Sequence, residues 1–201
     1  MSEHQQPSEE ELSKILKEQA LTAEIPTIFH KSIEKGPFSQ CLMCETPFGP
    51  NSIYLIEKSV MSHDVKYEYA MCYSCAERMN GSMSKESRKC IDTFYQEHVD
   101  INARARRFEE NPGIRPEELI SNCLISGEPV HELEEYHVFA QCIGDKLVMA
   151  NTPYMLSMPV MEQLNELLSP ESKGERDRFI DDFLGLPPEL RKLLKEVPVM
   201  V

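Results

Sequence analysis

The sequence predicts an α+β fold built from two successive units, each a β-hairpin followed by helices. Three observations predict it. Two Cys-x-x-Cys pairs, Cys41/Cys44 and Cys72/Cys75, bracket a stretch whose side chains alternate with a period of two. After the second pair the apolar period becomes that of a helix. Beyond the breaker Asn111-Pro112-Gly113 the same order of patterns begins again.

The elements follow in chain order. Residues 1–37 read as an N-terminal helical extension. Ser8 with Glu11 three residues on has the form of a capping box, and Leu12, Ile15, Leu16 and Leu21 recur at roughly helical spacing. A looser stretch with Pro26, Gly36 and Pro37 leads to the first cysteine pair. Residues 38–112 form the first unit. Ile53 to Val60 is a strand, Ser62-His63-Asp64 a turn, and Val65, Tyr67, Tyr69 and Met71 one face of a second strand. Met79, Met83, Cys90, Ile91, Phe94, Tyr95 and His98 then fall on a helical stripe, interrupted near Gly81 and reaching towards Arg107.

Residues 113–201 form the second unit. Glu135 to Cys142 and Lys146 to Ala150 read as strands about a Gly144-Asp145 turn. Val160, Met161, Leu164, Leu167 and Leu168 mark a helix. Ser169-Pro170-Glu171 opens another, striped by Phe179, Ile180, Phe183 and Leu184 and ended by Gly185. Pro187-Pro188-Glu189 opens a last short one. The last two helices are expected to cover the second unit's sheet, the alternative being an apolar face offered to a partner or a second copy of the chain. A shift of 82 positions superposes Ser39, Cys41, Leu42, Pro47, Tyr54 and Met79 on Ser121, Cys123, Leu124, Pro129, Tyr136 and Met161. The second unit is therefore a candidate degenerate, metal-free repeat of the first; so few identities also arise by chance. In the gapless shift Cys44, Cys72 and Cys75 become Ser126, Tyr154 and Ser157.

The cysteines carry the chemistry. Seven is an odd number and does not suit a framework made only of disulfides. Cys41-Leu42-Met43-Cys44 can form a tight knuckle with both sulfurs on one ion. Cys72-Tyr73-Ser74-Cys75 sits where a strand passes into a helix, near the positive end of the dipole that favours thiolates. Four thiolates satisfy tetrahedral zinc and leave no open position, the structural kind of site. The expectation is one structural Zn2+ held by Cys41, Cys44, Cys72 and Cys75. Knuckle, hairpin and helix-borne ligands in this order resemble the treble-clef and zinc-ribbon group of zinc fingers, over about residues 38 to 100. The resemblance is to a fold group, and the helix lacks a His-Asn-His nuclease pattern. The spacing matches no common iron–sulfur run, and no βαβ setting supports a thioredoxin-like pair.

Cys123, His131, His137 and Cys142 offer a second, mixed set of zinc ligands. Against it, His137 and Cys142 are an odd number of residues apart on one strand and so face opposite ways. The plainer reading makes both cysteines buried apolar groups and both histidines surface or capping residues. Cys90 lies on the apolar stripe and reads as core.

No Gly-x-Ser-x-Gly, Walker, His-Glu-x-x-His or Rossmann pattern is present. Glu117-Glu118 and Glu134-Glu135 read as surface charge. No catalytic or cofactor-binding residue is assigned, and an enzyme is the less favoured reading. A net charge of −13 repels nucleic-acid phosphates and anionic lipid; Arg88, Lys89, Arg104, Arg106 and Arg107 are the one candidate basic face. No apolar run is long enough to span a bilayer, and Met1 to Pro7 lacks the apolar core of a signal peptide, so the expected compartment is the cytoplasm. The expected role is a non-catalytic protein-interaction or regulatory module shaped by zinc. Nucleic-acid binding and an enzyme with an unrecognised site are the alternatives.

Overall fold

The computed structural model describes residues 9–185, except 112. It opens with helix α1 (Glu9–Gln19) and a short strand β1 (Leu21–Glu24). Leu12 and Leu16 of α1 pack beside Ile53, Ile143 and Val148. Ile15 and Leu21, expected on the same stripe, are exposed. The contact is a narrow seam one turn apart, and Leu21 already belongs to a strand.

The first hairpin is β2 (Ile53–Met61) and β3 (Asp64–Cys72). Ser62 and His63 join them with φ of 51° and 73°, the left-handed values a two-residue type I′ turn requires. Three helices follow, α2 (Tyr73–Ser82), α3 (Lys85–His98) and α4 (Ile101–Glu110). The helical stretch read from the sequence is thus broken twice. Ser84 and Asp100 start new helices by accepting the N–H of Ser87 and Ala103. The later elements are α5 (Pro116–Leu119), β4 (Glu135–Ile143), β5 (Lys146–Met149), β6 (Tyr154–Ser157), α6 (Met158–Glu166) and α7 (Pro170–Phe183). The helix expected from Pro187 lies outside the described residues.

All six strands form one antiparallel sheet in the order β1-β5-β4-β2-β3, with β6 also on β4 beyond the end of β5. Its centre is the β2–β4 pair, nine residues long, with Glu57 opposite Phe139 at the midpoint. The halves on either side of residue 112 therefore share one sheet. They also share one core, in which Tyr54, Ile56 and Ala70 lie with Val138, Leu147 and Met155.

Local geometry recurs along the chain. β4 begins 135 − 53 = 82 residues after β2 and ends 143 − 61 = 82 after it. α7 lies 170 − 85 = 85 residues beyond α3 at its start and 183 − 98 = 85 at its end. Cross-molecule hydrogen bonds come in matched pairs. Ser62 N–H donates to Glu134 O at 2.8 Å and Gly144 N–H to Ser52 O at 2.9 Å. Ser84 N–H donates to Ser172 Oγ at 2.9 Å and Ser169 N–H to Ser87 Oγ at 2.8 Å.

The long helices exchange partners. α6 lies on β4 and β6. α7 instead crosses to the first hairpin, where Phe179 and Ile180 pack with Tyr67, Tyr69 and Met71. α3 in turn brings Tyr95 to Tyr154 of β6. A hairpin followed by helices leaves part of its sheet bare, and the partner half's helix covers it.

Candidate metal centre

The first knuckle is closed by its own backbone. Cys41 N–H donates to Thr46 O and Glu45 N–H to Cys41 O, each at 3.0 Å. Glu45 takes a φ of 58° to allow the reversal. Leu42 N–H donates to Ala70 O at 2.8 Å and so ties the knuckle to β3. Cys72 ends that strand and is the N-cap of α2, while Cys75 lies in the first turn.

The structure brings all four expected cysteines together. Their sulfurs lie within 4.8 Å of one another, an arrangement that can hold a metal ion. Cys44 and Cys72 Sγ are 3.7 Å apart. Tetrahedral ligands about 2.3 Å from a zinc ion lie about 3.8 Å from each other. A disulfide needs about 2.05 Å, and all seven cysteines are free. Four thiols leave no chemically different ligand and no weak position, so the donor set fits a closed, soft-metal site. Cys41 and Cys75 are buried and Cys44 is exposed. The Thr46 hydroxyl, then its backbone N–H, hold the metal-free Cys44 thiol down to about 6. Burial pushes Cys72 and Cys75 up, so metal binding there expels protons. Arg78 Nη2, 3.6 Å from Cys75 Sγ, adds positive charge beside the thiolates.

The loop over residues 123–128 in the second half has the same backbone bonds with a single cysteine. Cys123 N–H donates to Glu128 O at 2.8 Å and Gly127 N–H to Cys123 O at 3.0 Å. Cys123 Sγ accepts the backbone N–H of Ser126 at 3.4 Å and of Ser157 at 3.3 Å. Burial works against the Cys123 thiolate, but the Ser126 side chain, then the backbone N–H groups of Ser157 and Ser126, outweigh it and hold the thiol below its ordinary range. Ser157 is the N-cap of α6, as Cys72 is of α2. In place, Cys72 thus matches Ser157 and Cys75 matches Val160, a correction to the gapless shift, which paired them with Tyr154 and Ser157. The three extra residues lie between β5 and β6.

The mixed set Cys123, His131, His137 and Cys142 is not brought together; among the described residues, only Cys41, Cys44, Cys72 and Cys75 are gathered as metal ligands. His131 is exposed beside Glu132, and Cys142 is buried in the core. His137, read from the sequence as a surface or capping residue, is fully buried. Cys90 is half-buried on α3 and takes no part.

His137 belongs to a polar knot that sequence reasoning missed. Glu57, only 2% exposed, accepts from the Tyr67 hydroxyl at 3.0 Å, from His137 Nδ1 at 3.1 Å and from the Tyr69 hydroxyl. Cross-strand register makes the contact, because Tyr69 and Phe139 flank Glu57 while Tyr67 and His137 flank Ser59. Burial, then the Glu57 charge, raise both phenols well above their usual range and keep them as donors. A buried carboxylate is tolerated only when bonded in this way. The available signal was the polar run Glu57-Lys58-Ser59 inside a central strand whose other residues are apolar or aromatic.

Of the candidate basic face, Arg104 is drawn into the fold and Arg106 stays exposed. Arg104 donates to Ala150 O and Pro153 O, Arg106 lies 3.8 Å from Asp100, and Arg88 lines a cavity. Of the acidic pairs read as surface charge, Glu135 is instead bound to Lys66 at 2.6 Å with both largely buried. Among the described residues, no helix is long and apolar enough to cross a membrane. No family model matches the chain, and no curated protein or solved structure matches it significantly.

Proposed function

We propose that the protein binds one structural zinc ion through Cys41, Cys44, Cys72 and Cys75, in a module of the treble-clef and zinc-ribbon group, and serves as a non-catalytic interaction or regulatory protein. The gathering of the four sulfurs carries this reading. Knuckle, hairpin and helix-borne ligands occur in the order typical of that group. Seven unpaired thiols suit a reducing, cytoplasmic setting. The excess of acid, and the engagement of Arg104 within the fold, disfavour nucleic acid as the partner.

Residues 38–112 and 113–201 are, in this proposal, two copies of one ancestral unit. The support is the repeated loop bonding, the offsets of 82 residues for the central strands and 85 for the helices, and the reciprocal bonds between Ser84/Ser87 and Ser169/Ser172. The second copy lost three ligands and is held by the shared sheet and core instead, since apolar burial can replace a metal.

The test is the zinc content of protein purified without added metal or a metal-affinity tag, by elemental mass spectrometry. One zinc per chain is expected. None, in reduced and folded protein, would overturn the proposal, and two would require ligands from the second copy. Fluorescence anisotropy with mixed-sequence oligonucleotides at low salt is expected to show no binding. Tight binding there would favour the nucleic-acid reading.

A further inference from the structure

A cavity of about 420 Å³ opens between α2, α3, α6 and α7. This size falls in the ordinary range for small-molecule sites. One side of it is apolar, made by Met79, Met83, Leu164 and Leu168. The other carries Tyr95, Tyr154 and charged residues.

The charges decide what would fit. Arg176 is held by Asp177 at 2.6 Å and by Asn165. Glu175 is paired with Arg178 at 2.6 Å. Asp92 is exposed and solvated. Arg88 differs from these: its Nε is buried with no hydrogen-bond partner, and no ion pair involves it among the described residues. A buried donor left unpaired is costly, and native structures rarely keep one without a ligand or water. Of the two cations in the lining, Arg176 is engaged and Arg88 is the one without a partner.

We propose that this cavity binds a small amphiphilic carboxylate, its head on the Arg88 guanidinium and its short apolar chain along Met79, Met83, Leu164 and Leu168. A guanidinium presents paired N–H donors that match a carboxylate. The apolar wall excludes a hydrophilic dicarboxylate, and the single unpaired cation excludes a polyphosphate. None of the four cysteines lines the cavity, although α2 and α7, two of its walls, also border the cysteine cluster.

The experiment uses the full, metal-bound chain and titration calorimetry with octanoate, with 1-octanol as the uncharged probe. Octanoate is expected to bind in the millimolar range or tighter. Arg88→Gln is expected to weaken octanoate about tenfold or more, the usual size for a charged hydrogen bond, and to leave 1-octanol unchanged. Met83→Trp, which fills the cavity and keeps the charge, is expected to abolish both. Circular dichroism of each variant establishes that it folds. No octanoate binding by the parent, equal binding by Arg88→Gln, or binding that survives Met83→Trp would each overturn the proposal; the first is also the outcome if ordered water alone satisfies Arg88.

Discussion

Replacing Cys72 by Ser separates the metal from the helix that this residue caps. Serine is a favoured N-cap, so α2 keeps its start and loses one thiolate. Structural zinc contributes on the order of 10 kcal/mol or more to small modules, whereas an entire domain is stable by about 5–15 kcal/mol. Losing the ion should therefore cost much of the total. The packing says where the loss will appear. Cys41 and Cys75 share a core with Tyr69, Met71, Phe179 and Ile180. Full burial contributes about 1.5–3 kcal/mol for each large apolar side chain, so Phe179 and Ile180 hold α7 by roughly 3–6 kcal/mol. They are 3% and 0% exposed, on a surface that the knuckle and α2 help to shape. Hydrogen exchange read by mass spectrometry should show Cys72→Ser losing protection in β3 and α2 and also in distant α7. β4 and α6, which pack in the other core, should keep more of theirs. Loss confined to residues 38–112, with α7 still protected, would refute the coupling. Unchanged zinc content and protection would refute the site itself.

Tyr69→Phe removes one donor from the buried Glu57 carboxylate. It should lower stability in urea by about 1.5–3 kcal/mol, the range for hydrogen bonds to charge; a variant as stable as the parent would show that Glu57 does not rely on it. At Gly144, φ is +56° and an added Cβ would lie 2.5 Å from Pro50 O. Gly144→Ala should therefore cost more than the roughly 1–2 kcal/mol of left-handed strain alone, and an unchanged melting temperature would contradict this geometry. Burial pushes the Cys142 thiol up to about 12. An unfolded cysteine releases its proton near pH 8.5, so the unfolded chain binds fewer protons above that pH and stability falls as pH rises from about 9 to 12, by up to about 1.4 kcal/mol per unit. Denaturation at rising pH should show a shallower fall in Cys142→Ala, and identical slopes would argue against the burial effect.

The gathering of Cys41, Cys44, Cys72 and Cys75 was legible from the sequence because spacing is local. Two residues between cysteines are enough to bend a knuckle, and a strand passing into a helix presents Cys72 and Cys75 together whatever else the chain does. Both hairpins were legible too, from alternation and from the turn residues at 62–63 and 144–145. β6 was not, since four residues carry too little pattern, nor was the division of the helical stretch into α2, α3 and α4. That division depends on which serine or aspartate the backbone uses as a cap.

The tertiary structure alone decided how the halves combine. Pairing of β2 with β4 is a long-range choice that nothing in either strand specifies, and it is what brings Glu57, Tyr67, Tyr69 and His137 together. The crossing of α7 to the first hairpin is of the same kind. An apolar stripe tells a helix to bury one face but not against which sheet, and here the bare surface belonged to the other half. Metal-ligand spacing and strand period are properties of neighbours in the chain, whereas register between distant strands and the docking of helices are settled only when those surfaces compete for burial.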